Sequence, residues 1–255
     1  EDPKKLKEVE PNFFRLYRDA GLCVSRSGNG NYLLITNSIV GTEGFGNHKH
    51  NDQLGFEYHA FGIPFFVDPG SFVYTSDFAE RNNFRSTAYH NTVCVNEEEQ
   101  HEMNPEWLFR LFAADKDPEH NFHEIDGSTS TYVGTHYGYF RLQSSLIHQR
   151  RFVHDVSTGV LKIVDFIEAE ESADLQWNFV CGPEIIAEIV NDYTVQLKSN
   201  NNSVQFVFPL ELHCRIGEGS YSPSYGIKQR ISKIIISSHA GASSSTHEFT
   251  ITPKK

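Results

Sequence analysis

Short apolar runs, broken about every ten residues by glycine, asparagine, aspartate or proline, recur along most of this chain and constrain it more than any other feature. Regular turn signals between short strands describe an all-β protein, a large antiparallel β-sandwich of stacked sheets. Leu22 to Arg26 and Tyr32 to Thr36 flank Gly28-Asn29-Gly30-Asn31, residues that tolerate the positive φ of a tight turn, and form a predicted hairpin. Leu54 to Ala60 and Ile63 to Val67 bracket Phe61-Gly62 in the same way. Asp68-Pro69-Gly70 ends the second run, because proline offers the ladder no donor. Thr92 to Asn96 is a further strand, Leu146 to His154 pairs with Gly159 to Glu168, and Leu175 to Val180 continues that meander. Ile186 to Leu197 with Val204 to Phe208, and Lys233 to Ser238 with Glu248 to Thr252, complete the pattern. Twenty Phe and eleven Tyr against one Met support it, since aromatic side chains pack well on a pleated surface.

Only the start departs from strand spacing. Residues 3–19 place Lys, Glu, Phe, Leu and Tyr at roughly helical intervals and stop before Gly21, a residue able to cap a helix end in the left-handed conformation. This predicts a short helical linker over residues 1–20 and a β-sandwich domain over residues 21–255. The charged opening, Glu1 to Glu10, differs from the basic-then-apolar pattern of a secretion signal and reads as the start of a processed or excised domain.

A formal net charge of −11 opposes non-specific binding to nucleic acid and adsorption to anionic membranes. No apolar run approaches the roughly 20 residues of a membrane span. An anionic ligand therefore needs a local basic groove, which Arg81 and Arg85 are placed to supply in part. Cys23, Cys94, Cys181 and Cys214 show no CxxC or CxC spacing, which argues against a zinc finger or a thioredoxin-like role. Buried free thiols are expected, with two disulfides left open.

Reactive side chains concentrate between Gly46 and Asn91: His48, His50, Asp52, His59, Asp68, Arg81, Arg85, Tyr89 and His90. His48-Lys49-His50 is an HxH pair, and on an extended strand both imidazoles face one side. Two surface histidines are the plain alternative. Asp68 and His90 each lie at the edge of a strand-like run, where neighbouring strands bring them beside His50. Two imidazoles and one carboxylate form a ligand set suited to zinc, with a fourth position open. Asp68 equally suits a turn in which its side chain bonds its own backbone. Arg85 offers a planar fork matched to a carboxylate or sulfate, or else a structural ion pair with Asp52 or Glu57. Asn91 is assigned to holding a loop, and Tyr74 and Tyr89 to packing. His59, His101, His120, His123, His136, His148, His154, His213, His239 and His247 show no comparable grouping and are assigned to exposure or ordinary hydrogen bonding.

The string GNHKHNDQLGFEYHAFGIPFFVDPGSFVY, followed by FRSTAYHNTVCVN, resembles the heparinase II/III-like C-terminal domain. In that family an HxHxD segment, a hairpin ending in DPG and a FRSTxxHNTV segment occur in this order. The match spans Gly46 to Asn96, and QWNFVCGP at Gln176 to Pro183 and SPSYG at Ser222 to Gly226 extend it. The resemblance implies the antiparallel sandwich that such polysaccharide lyases join to an N-terminal (α/α) toroid, with the substrate groove between the two. It implies zinc on His50, Asp68 and His90 and catalysis by His48; Lys49 and Arg85, beside them, are expected to contact substrate. It further implies an acidic, uronate-containing polysaccharide and the toroid as partners, and a periplasmic or extracellular location. The family's tyrosine acid/base and its carboxylate-neutralising Asn or His belong to the toroid, so this chain alone is not expected to be active.

The implied reaction removes the proton α to a uronate carboxylate and expels the 4-linked oxygen. Imidazoles, with an ordinary pKa of about 6.5, suit proton transfer near neutrality. Two other readings compete. A cupin shares the β-rich fold and the HxH pair, but it places its glutamate closer to the second histidine than Glu57 stands to His50, and it lacks the DPG and FRST segments. A non-catalytic carbohydrate-binding sandwich usually displays aromatic platforms, and Trp107 and Trp177 are the only tryptophans here.

Overall fold

A computed structural model describes residues 12–254. Its strands are β1 (Asn12–Tyr17), β2 (Leu22–Ser27), β3 (Tyr32–Thr36), β4 (Gly55–Ala60), β5 (Ile63–Phe66), β6 (Val93–Val95), β7 (Glu119–Asp126), β8 (Thr129–His136) and β9 (Ile147–Asp155). They continue with β10 (Leu161–Glu168), β11 (Ala173–Val180), β12 (Ile186–Asn191), β13 (Thr194–Ser199), β14 (Asn202–Val207), β15 (His213–Ser224), β16 (Ile227–Ala240) and β17 (Ser244–Lys254). One α-helix, α1 (Phe78–Arg85), lies between β5 and β6.

Strands β1 to β5 form a sheet in sequence order, β15-β16-β11-β6 form a second, and β12-β13-β14-β17-β10-β9-β8-β7 form the third and widest. The first two meet edge to edge, where Phe66 bridges Cys181 and the Val67 N–H donates to the Val180 carbonyl at 3.0 Å. Together they face the wide sheet. Phe56 of β4 packs on Phe152 of β9, and Trp177 and Phe179 of β11 pack on Phe249 of β17. Alternation along each strand drives this: β10 buries Leu161, Ile163 and Ile167 on one face and leaves Lys162, Val164 and Phe166 outward or half-covered. Each fully buried Phe or Ile contributes about 1.5–3 kcal/mol, which makes the interlayer space the main source of stability. The all-β antiparallel sandwich expected from the turn spacing is the observed fold.

The expected N-terminal helix is corrected where it can be seen. Residues 12–17 form β1, paired with β2 from Asn12↔Ser27 to Tyr17↔Leu22, while residues 1–11 lie outside the described residues. The open edge of β2 presents unpaired backbone groups, and an extended segment satisfies them while packing Leu16 onto the core. A single 3-10 turn, Arg18–Ala20, follows and is capped by Gly21 at φ 65°. Among the described residues the sandwich therefore includes Asn12–Tyr17, ahead of residue 21.

The remaining differences concern partners more than strands. β11 does not continue the meander of β9 and β10. β17 fills the place beside β10, and β11 crosses to the other layer between β6 and β16. The run expected over residues 186–197 turns at Asn191 into two strands, β12 and β13. β7, β8, β15 and α1 were not anticipated. The four cysteines are free thiols, three of them buried, as expected. Among the described residues no helix is long and apolar enough to cross a membrane.

Candidate active site

Three chain segments converge at the seam between the two smaller sheets. His50 lies in the loop before β4, Asp68 follows β5, and His90 precedes β6. One ligand-capable atom from each lies within 4.8 Å of the others, so the fold gathers all three residues expected as metal ligands. His90 is buried, its Nδ1 stands 2.7 Å from Asp68 Oδ2, and the His50 and His90 ring centres are 5.3 Å apart. The other Asp68 oxygen accepts the Gly70 N–H at 2.9 Å. Both readings of Asp68 therefore hold: one oxygen closes the turn and the other faces His90. Gly70 sits at φ 81°, and a Cβ there would lie 2.5 Å from the Ser222 carbonyl oxygen. The SPSYG segment is thus clasped directly against the DPG turn.

Burial and close charges oppose each other in this pocket. Burial pushes the Asp68 carboxyl up, but His90 outweighs it and leaves the group below the usual carboxylate range. Burial pushes His90 down, and Asp68 more than reverses it. Burial, followed by repulsion from His90, holds His50 down at about 3. Glu57 shares a cavity of about 110 Å³ with Asp52, Asp68 and His90, and it is pushed up to about 7 by burial and then by the Asp68 charge. Two imidazoles and a carboxylate this close fit a divalent cation of borderline softness, zinc among them.

The HxH pair does not lie on a strand. Residues 47–51 are loop, and the two rings diverge: His50 turns toward His90, whereas His48 is exposed and meets Tyr74 edge-on at 6.0 Å. Tyr74 stacks between Phe109, at 5.9 Å, and Tyr225, at 6.2 Å, so an aromatic row flanks His48. Tyr225 belongs to the SPSYG segment.

Three expected cationic contacts are corrected. The Lys49 side chain is 7% exposed and spends its ammonium on Asp52. Arg85 is fully buried: its Nε donates to Asn82 Oδ1, its Nη1 to the Arg110 carbonyl at 2.9 Å, and its Nη2 to the Asn104 and Trp107 carbonyls. It clasps the 104–110 loop and pairs with neither Asp52 nor Glu57. Arg81 is also fully buried, with its Nη1 2.7 Å from His50 Nε2 and its guanidinium 4.7 Å from the Tyr74 ring centre. The physical reason is α1. Asp77 caps it by accepting the Glu80 N–H at 3.0 Å, and the helical repeat then places Arg81, Phe84 and Arg85 on the inward face. The Asp77-x-x-Glu80 spacing was the available signal.

A second group that sequence reasoning missed lies beneath the site. Asn91 donates its Nδ2 to the Phe56 and Val67 carbonyls and accepts the Val180 N–H, which ties β4, β5 and β11 together. Its backbone carbonyl accepts Arg150 Nη1 at 2.9 Å. Arg150 is locked bidentately onto Asp165 at 2.6 and 2.9 Å, and Asp165 also accepts Trp177 Nε1 and His148 Nε2. His136 hydrogen-bonds His148 at 3.0 Å, which overturns the reading of these two as ungrouped histidines. Asn91 has the loop-holding role expected of it. Arg150 and Asp165 were legible in principle, because they share strand parity with buried Phe152 and Ile163 and face each other across β9 and β10.

The family model for the heparinase II/III-like C-terminal domain matches residues 11–252. The chain belongs to the heparinase II/III-like family. Among solved structures, this heparinase II/III-like domain is similar to the heparan sulfate lyase HepC from Pedobacter heparinus, with 18% identity and a TM-score of 0.79 over 97% of this chain and 37% of that chain. It is similar to a heparinase III at 20% identity and a TM-score of 0.79, over 96% of this chain and 37% of that one. A galactose mutarotase-like protein from Clostridium acetobutylicum shares the fold over 96% of this chain and 98% of its own, at 7% identity and a TM-score of 0.51. At such identities the likeness is one of fold. The heparinase II/III-like domain spans little more than a third of the lyases it matches, and no curated protein matches it.

Proposed function

We propose that this chain is the C-terminal part of a polysaccharide lyase that cleaves a uronate-containing acidic polysaccharide by β-elimination, outside the cytoplasm, with His48 catalytic and His50, Asp68 and His90 holding zinc. The observation that carries the reading is the convergence of three distant segments on one point, in the order the family motif places them. In the reaction a base takes the proton α to the carboxylate, that electron pair becomes the new C=C bond, and the C4–O4 bond breaks as an acid protonates the departing oxygen. His48 is the exposed imidazole of the cluster and transfers a proton at the sugar. Tyr74, Phe109 and Tyr225 offer it a stacking surface. Bound zinc would add positive charge beside the groove and fix the three ligand-bearing segments. The remaining acid/base and carboxylate-binding groups come from an N-terminal toroid of the same protein.

Unsaturated-uronate absorbance, followed for this chain and for the full-length protein on acidic polysaccharides, tests the reading. Turnover is expected only from the longer protein, with His48→Ala lowering kcat there by about 10²–10⁴-fold. Full activity in that variant would remove His48 from the chemistry. Metal analysis of the chain is expected to find one zinc, absent from His50→Ala and His90→Ala.

The aromatic row gives a second reading some support: a carbohydrate-binding sandwich without chemistry of its own. A full-length protein that binds acidic polysaccharide without forming unsaturated product would favour it.

A further inference from the structure

Among the described residues Arg81 is the one cation that touches the ligand set, and its bond to His50 has a consequence for metal uptake. A guanidinium is always protonated and only donates, so His50 Nε2, 2.7 Å from Arg81 Nη1, is an acceptor. A neutral imidazole carries one lone pair and one N–H. With the Nε2 lone pair engaged by Arg81, the proton sits on Nδ1, and His50 has no lone pair left for an ion. The hydrogen bond and ligation by His50 therefore exclude each other.

Among the described residues nothing else offers the Arg81 guanidinium an acceptor. Its Nε and Nη2 are buried without a partner, and its remaining close neighbour is the face of Tyr74. The α1 cap and the inward-facing helical repeat hold the guanidinium at this place. Asn51, next to His50, donates its backbone N–H to the Arg85 carbonyl at 2.9 Å, so the helix end and the ligand loop are fixed to each other. The arrangement is built, with a fixed positive charge held against His50.

We propose that Arg81 is a built-in competitor for the metal site: its guanidinium and a divalent cation contend for the same lone pair of His50, so metal binds only as Arg81 lets go. This rests on the zinc reading above. Arg81 thus sets the affinity of the site without being a ligand, and its replacement by a side chain of similar length with no donor raises that affinity.

The test is zinc titration of the metal-free chain, wild type against Arg81→Met, with far-UV circular dichroism confirming the fold of each. Arg81→Met is expected to bind zinc about 10–100-fold more tightly, the size of effect that neighbours of ligands exert. Equal or weaker binding in the variant overturns the competition and leaves the zinc reading standing. Absence of zinc binding in both overturns both. A variant that fails to fold transfers the decision to ¹⁵N NMR of the metal-free wild type. There the Nδ1–H tautomer of His50 supports the proposal, and an Nε2–H tautomer overturns it.

Discussion

Individual residues in this site act through the one or two atoms they commit. Asp68 divides its oxygens between the Gly70 amide and His90, so Asp68→Asn is expected to keep the turn while weakening the zinc binding proposed for the site, as read by zinc titration. Gly70→Ala strikes the turn instead. A positive φ and a Cβ 2.5 Å from the Ser222 carbonyl oxygen together cost more than about 1 kcal/mol, read as a lower urea midpoint. An unchanged midpoint would mean that the DPG turn relaxes freely. The convergence of His50, Asp68 and His90 was legible from the sequence because all three sit inside ordered motifs. The direction of a guanidinium was not legible: Arg81 and Arg85 look like groove cations until Asp77 is recognised as a cap, which fixes the helix phase and turns both inward with Phe84. Lys49 went astray for a related reason, since a flexible chain three residues from Asp52 takes the nearest carboxylate.

Pairs of strands carry a different kind of information. β9 and β10 each place a charge on their core face, and Arg150 and Asp165 meet there with both side chains fully buried. Removing one partner leaves an uncompensated buried charge, so Asp165→Asn is expected to destabilise the protein by about 3–5 kcal/mol. Arg150→Met combined with Asp165→Leu should regain only part of that stability, because Trp177 Nε1 and His148 Nε2 lose their acceptor, while zinc affinity stays reduced, because the Asn91 carbonyl has lost its anchor. Thermal melts of the three variants check the first part, and zinc titration checks the second. Most strands could be read from turn chemistry, as the hairpins β2–β3 and β4–β5 show. Their neighbours could not, because local alternation says which face of β11 is apolar and nothing about which edge it joins. β7 was missed because none of its residues is buried, and β1 because four apolar residues in six fit either period once the pairing edge of β2 is unknown.

Across the whole molecule, buried neutral histidines tie stability to pH. Burial depresses His101 to about 3 and His154 to about 4; it lowers His136 further with help from His148, and it lowers His148 despite the opposing Asp165. A group depressed on folding contributes stability that is complete above its unfolded value, about 6.5, and is lost as pH falls toward the folded value. His90 has the opposite sign, because Asp68 raises it against burial, but it is one group against four. Unfolding free energies from urea titrations are therefore expected to fall steadily from pH 7 to pH 4, by roughly 1.4 kcal/mol per pH unit for each histidine that must stay neutral. A flat profile would mean that these rings are hydrated. The edge-to-edge join at Phe66 and Cys181 has its own consequence. All three candidate ligands border it, and Asn91 crosses it, so an ion held there would add a rivet to the hydrogen bonds that already join the two sheets. A chelator should then quicken amide deuteration first at Val67 and Gly182, whose N–H groups cross the join, a line of weakness opening down one wall of the sandwich while the opposite wall stays shut.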